Sequence, residues 1–144
     1  MKTFYPRKKD LSHSWLLIDA QDKVLGKLAS VAAKLLIGKH KASFTPGVDN
    51  GDFVIVVNSS KVFVTGNKSS QKIYYKHTGY PGGIKSTNFE QMLKRNPNYT
   101  IKNAIKGMLP KGPLGRSMLK KLKIYDGSSH PHHSQNPANY EIGF

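Results

Sequence analysis

An α/β domain with a largely parallel sheet is the expectation for this 144-residue chain, and three features support it. Short, uninterrupted apolar runs at residues 15–18 and 53–57 have the length and branched content of strands buried on both faces. After the first run, apolar residues recur at intervals of three and four, the period of an amphipathic helix. Glycine, proline and asparagine separate the two kinds of segment, as turns between alternating strands and helices require.

Residues 1–13 hold Pro6, Arg7, Lys8, Lys9 and Asp10 without a period and read as a basic arm. Order begins at Trp15, and Asp19 ends the first strand. Gln21, Asp22 and Lys23 make the turn. Leu25, Leu28, Val31 or Ala32, and Leu35 then form an apolar stripe opposite Lys23, Lys27, Ser30 and Lys34. Gly38 suits a left-handed cap, and Lys39, His40 and Lys41 beyond it lie near the negative end of the helix dipole. Pro46, Gly47, Asn50 and Gly51 lead into the second strand. Residues 61–65 read as a third, closed by Gly66 and Asn67.

Residues 72–76 are short, aromatic and basic, and alternation along a strand points one of Tyr74 and Tyr75 inward and the other outward. A loop from His77 to Lys85 follows. Thr87 and Glu90 have capping-box spacing for a short helix carrying Phe89, Met92 and Leu93, stopped by Asn96 and Pro97. A further helix after Asn98 and Thr100 carries Ile101, Ala104, Ile105 and Met108 on one face. Its Lys102 and Lys106, four residues apart, repel by about a few tenths of a kcal/mol unless an anion lies against them. Residues 109–116 are expected to form an irregular basic connector, because proline lacks an amide donor and glycine weakens a helix. Met118, Leu119 and Leu122 resume helical spacing, Ile124 and Tyr125 suggest a last short strand, and residues 128–144 read as a surface tail.

Composition narrows the function. With 23 Lys and Arg against 8 Asp and Glu, the net charge is +15, which points to a polyanionic partner, nucleic acid first. The charge is polarised: residues 61–123 hold 14 basic residues and the single acid Glu90, while residues 10–52 hold five Asp. The absence of Cys excludes a disulfide scaffold and a thiolate zinc site. No apolar run approaches the ~18 residues of a membrane span, and the N-terminus has no apolar signal core, so a chain neither inserted nor secreted is expected.

Enzymatic constellations are weak. The loop 77–85 has glycines that let a backbone approach phosphate, but Pro81 and the missing helix pair set it apart from a KH clamp. Gly66, Asn67, Lys68 and Ser69 resemble the end of a phosphate-binding P-loop, yet residue 61, where the upstream glycine belongs, is Lys. Asp49 and Asp52 are the composition of a metal-dependent nuclease, the enzymatic alternative, although turn chemistry accounts for both. His130, His132 and His133 offer nitrogen ligands without a neighbouring acid or thiol, so no metal and no cofactor is assigned.

Residues 105–110 (Ile-Lys-Gly-Met-Leu-Pro), Gly115 with Arg116, and residues 122–127 (Leu-Lys-Ile-Tyr-Asp-Gly) together resemble the signature of the family of the thirteenth large-subunit ribosomal protein. The resemblance extends through Trp15, Asp19 and Ala20, Leu25 and Gly26, residues 38–41, Gly51 and Asp52, residues 64–68, and His77 to Gly79 with Gly82 to Lys85. It covers residues 14–127 and leaves the arm and the tail outside. It implies a single three-layer α/β/α domain with a small, mainly parallel four-stranded sheet. It further implies a non-enzymatic constituent of the large subunit, on the ribosome in the cytoplasm, that binds large-subunit ribosomal RNA beside neighbouring ribosomal proteins and supports early assembly. No membrane and no small-molecule substrate is implied. Such binding runs through phosphate and shape contacts. The expected contacts are Lys39, His40, Lys41, Lys68, Lys72, His77, Gly79, Gly82, Gly83, Lys85, Lys106, Lys111, Gly112, Arg116, Lys120 and Lys121.

Overall fold

The computed structural model describes residues 1–143. Its sheet has four parallel strands in the order β5-β2-β1-β6: β1 is Trp15–Asp19, β2 Phe53–Val57, β5 Leu122–Ile124 and β6 Ala138–Asn139. Helix α1 (Leu25–Ile37) joins β1 to β2. The long route from β2 to β5 carries α2 (Lys68–Gln71), an antiparallel ribbon of β3 (Ile73–His77) and β4 (Ile84–Asn88), then α3 (Phe89–Arg95), α4 (Pro97–Met108) and α5 (Pro113–Lys120).

Register decides which face is buried. Leu16 and Ile18 lie opposite Val54 and Val56, which lie opposite Leu122 and Ile124, so all six point to one side. There they meet Leu28, Leu35 and Leu36 of α1 and Ile101 and Ile105 of α4 in a single core. The two connections from β1 to β2 and from β2 to β5 step in one direction, and right-handed crossovers place their helices on this same face. The connection from β5 to β6 runs back past β1, so the same handedness sends it over the opposite face. That third layer is a strap with one 3-10 turn, His133–Gln135. Under it, Trp15 stacks on Phe53 with ring centroids 4.4 Å apart, and His132 lies 5.0 Å from Trp15. Tyr125 hydrogen-bonds His132 Nε2 at 2.6 Å. Burial of this imidazole, with His130 and Lys123 nearby, holds its pKa below the ordinary histidine value.

Several local expectations change. Residues 61–65 are not a strand: Asn58 turns the chain in the left-handed region, a 3-10 turn at Ser59–Lys61 follows, and only Phe63 bridges to Val24. Trp15, Leu16 and Leu17 are half-buried rather than enclosed on both faces, because β6 covers only two residues of the β1 edge. Asn88, not Thr87, caps α3, accepting from the Gln91 amide at 2.9 Å, because Thr87 is held in β4 opposite Tyr74. Helix α4 starts at Pro97 under an Asn96 cap, since proline at the first helical position forfeits no bond. The irregular connector shrinks to residues 109–112, and α5 begins at Pro113. The segment expected as a surface tail supplies β6, where Tyr140 donates its amide to the Leu17 carbonyl at 2.8 Å, and puts Ile142 into the core.

Candidate nucleic-acid interface

The last turn of α4 and the residues after it organise the basic side chains. Three cavities surround this corner and share walls. One, of 510 Å³, is lined by Lys106, Lys111 and Arg116 together with Asn103, Gly107 and Pro110. A second shares Asn103 and Gly107 with it and adds Lys68 and Lys72; a third shares Leu109 and Pro110 and adds Lys39. Six expected contacts, remote in sequence, therefore line adjoining cavities around this one corner, the α4–α5 groove. Among the described residues none of the six pairs with a carboxylate.

Backbone geometry shapes the groove. Gly112, with φ +148°, occupies a conformation that side chains rarely adopt, and it swings the chain from α4 into α5. A Cβ on Gly115 would collide with the Pro110 carbonyl, so α5 packs against the connector only with glycine there. The N-terminus of α5 has no side-chain cap and no acid in its first turn, which leaves amide donors and the positive dipole end beside Lys111 and Arg116. Arg116 can hold a phosphate bidentately, while the lysines act as movable point charges.

The hairpin contacts lie elsewhere. His77, Gly79, Gly82 and Lys85 are exposed, and Gly83 half-buried, on the β3–β4 ribbon. The tip is ordered: the Thr78 amide donates to the Gly83 carbonyl at 2.9 Å, and the Gly79 amide to His77 Nδ1 at 2.9 Å. Tyr74 is buried and Tyr75 is 66% exposed, as strand alternation requires. Lys120 is exposed at the end of α5.

Three expected contacts are committed to the fold. Lys121 is buried, and its Nζ meets Asp49 at 2.5 Å and donates to the Gly51 carbonyl at 2.9 Å. It tethers the turn before β2, with its ammonium engaged by Asp49 and the Gly51 carbonyl. Lys41 and His40 both bind the buried Asp52, at 2.6 and 2.7 Å. Burial pushes the Asp52 pKa up, but the hydrogen bond from Lys41, the Ser14 amide, His40 and the Lys41 charge outweigh it and hold the carboxyl below its ordinary value. Asp49 and Asp52, the basis of the nuclease alternative, are thus each neutralised by protein cations. The described residues contain no group of three His, Asp or Glu able to hold a metal. None of their helices is long and apolar enough to cross a membrane.

Sequence reading missed Asn103, which faces the groove between Lys68 and Lys106, and Arg95, which lines a cavity under the hairpin. Asn103 could have been found from its place three and four residues before Lys106 and Gly107 on one helix face.

Residues 13–131 match the family model for ribosomal protein L13. The chain is 56% identical over 142 residues to the large ribosomal subunit protein uL13 of Polynucleobacter asymbioticus, covering 99% of this chain and 100% of that protein. It is 54% identical to the uL13 of Beutenbergia cavernae and 52% identical to that of Streptomyces coelicolor, in each case over 99% of this chain and 97% of the relative.

Proposed function

Because the chain belongs to the ribosomal protein L13 family, we propose that it holds large-subunit ribosomal RNA in the groove around the α4–α5 corner. The chain is a structural constituent of the large ribosomal subunit, not an enzyme. Its place is on the ribosome in the cytoplasm, among neighbouring ribosomal proteins, and it supports early subunit assembly.

The observation that carries the site is the convergence of Lys39, Lys68, Lys72, Lys106, Lys111 and Arg116 around one corner, where among the described residues none of them pairs with a carboxylate. Such a cluster raises the free energy of the isolated fold and lowers it again when phosphates enter. The exposed hairpin loop and Lys120 extend the same reading, whereas Lys121, Lys41 and His40 fix the turn between α1 and β2 through Asp49 and Asp52. The test replaces Lys106, Lys111 and Arg116 together by Ala and follows large-subunit RNA affinity and co-sedimentation with large subunits. Loss of both in a folded variant is expected. Unchanged affinity would place the RNA on another face.

A further inference from the structure

A separate cavity, of 570 Å³, lies between the β3–β4 ribbon and the α3–α4 corner, and it shares no lining residue with the α4–α5 groove. Lys76 and Lys85 stand directly opposite each other across the ribbon and both line it. Like charges in that register repel and destabilise a two-stranded ribbon unless an anion lies between them. Arg95 of α3 lines the same space. No carboxylate does, and among the described residues none of the three cations has an ion-pair partner.

The walls are suited to a base. Tyr99 is braced by Tyr74, edge to face at 5.9 Å, so its ring is held in place while 41% of the residue stays exposed. The Tyr74 hydroxyl is itself buried, so Tyr74 serves as the brace behind Tyr99 rather than as a contact for a ligand. Thr87 adds a hydroxyl on the same face of the ribbon. A cavity of this size takes one nucleotide and is too small for a duplex.

We propose that this cavity receives a single unstacked nucleotide of the bound RNA, its phosphate held by Lys76, Lys85 and Arg95 and its base laid against Tyr99. The proposal rests on the RNA-binding reading above and deepens it: the α4–α5 groove holds backbone, while the ribbon cavity selects RNA that can extrude a base. Stacking on a preset aromatic ring tolerates any base, so the selectivity is for shape rather than sequence.

The test uses the full chain and two RNA hairpins, one fully paired and one with a single bulged 2-aminopurine. Wild type is expected to bind the bulged hairpin about tenfold more tightly, the scale of one stacked base, and to quench the 2-aminopurine. Lys76→Ala with Lys85→Ala, and separately Tyr99→Ala, should bring that ratio close to one, with thermal unfolding showing both variants folded. Tyr99→Phe should keep it. Lys106→Ala with Arg116→Ala should weaken both hairpins alike and leave the ratio intact. Equal wild-type affinity for the two hairpins, or an unchanged ratio in the folded ribbon variants, overturns the cavity assignment while leaving RNA binding standing. Failure to bind either hairpin removes both readings. Competition by free AMP as effective as the bulged hairpin would make the site one for a free nucleotide and overturn the assignment to RNA.

Discussion

Asp52, with a side chain only 4% exposed, carries the bonds that join three segments: Lys41 and His40 after α1, and Ser14 before β1. Its folded pKa is depressed, so its contribution is complete above the ordinary aspartate value of 3.8 and is lost as pH falls through the folded value. Asp52→Asn is expected to cost about 2–4 kcal/mol at neutral pH, because the Lys41 cation loses its buried partner and His40 a hydrogen bond. It should also flatten the loss of stability below about pH 4, read by urea unfolding across pH. Lys121→Met should likewise lower stability, by about 1–3 kcal/mol, while the folded protein keeps its RNA affinity, since Nζ binds Asp49 and not phosphate. A drop in affinity at constant stability would return Lys121 to the interface. Nothing local distinguishes Lys121 from Lys120 and Lys123. Its inward course is set by a carboxylate 72 positions away, and one sequence does not display such a pairing. The alternation of Tyr74 and Tyr75 was readable because it depends only on the two-residue period of a strand.

Among elements, α1 and α4 were legible because their apolar stripes face each other in the core, and Gly38 caps α1 in the left-handed conformation as expected. Of α5 only the end at Met118 and Leu119 was legible, because its start depends on tertiary contact: Pro113 serves as a first helical residue, and Gly115 lets the helix lie on the Pro110 carbonyl. Two substitutions separate packing from binding at this corner. Ile105→Ala empties a fully buried site of α4 and is expected to cost about 2–5 kcal/mol. Gly115→Ala leaves every charge in place but forces α5 away from the connector, so about 1–3 kcal/mol should be lost and Arg116 displaced from the groove. For Gly115→Ala, RNA affinity measured well below the melting temperature should fall. If it does not, the groove tolerates a moved α5 and Arg116 contributes little. Strand β6 was invisible for a different reason. Ala138 and Asn139 carry no strand pattern of their own and become a strand only because β1 offers an open edge.

Across the whole molecule the charge is divided by role: Asp49 and Asp52 are paired with Lys121, Lys41 and His40, and among the described residues no carboxylate lines the α4–α5 groove or the ribbon cavity. Affinity for large-subunit RNA should therefore fall linearly on a log–log salt plot, with a slope of about −0.7 to −0.9 for each phosphate engaged. Replacing Lys111 and Arg116 by Ala should make the slope shallower by roughly one unit per charge that touches phosphate. A titration without salt dependence would sink the electrostatic account. The polarised charge was plain in the sequence, but the division between internal and outward cations was not, because it depends on which lysines meet an aspartate in space. The strap that returns to β1 also imposes an order in time. Translation delivers β1 first and β6 last of the four strands, so until Ala138 and Asn139 emerge the nascent sheet keeps an unpaired edge, with Trp15 not yet covered by His132. An open edge of that kind recruits other strands. A chain released before residue 138 keeps that edge for good, and its hazard is aggregation rather than a weakened grip on RNA.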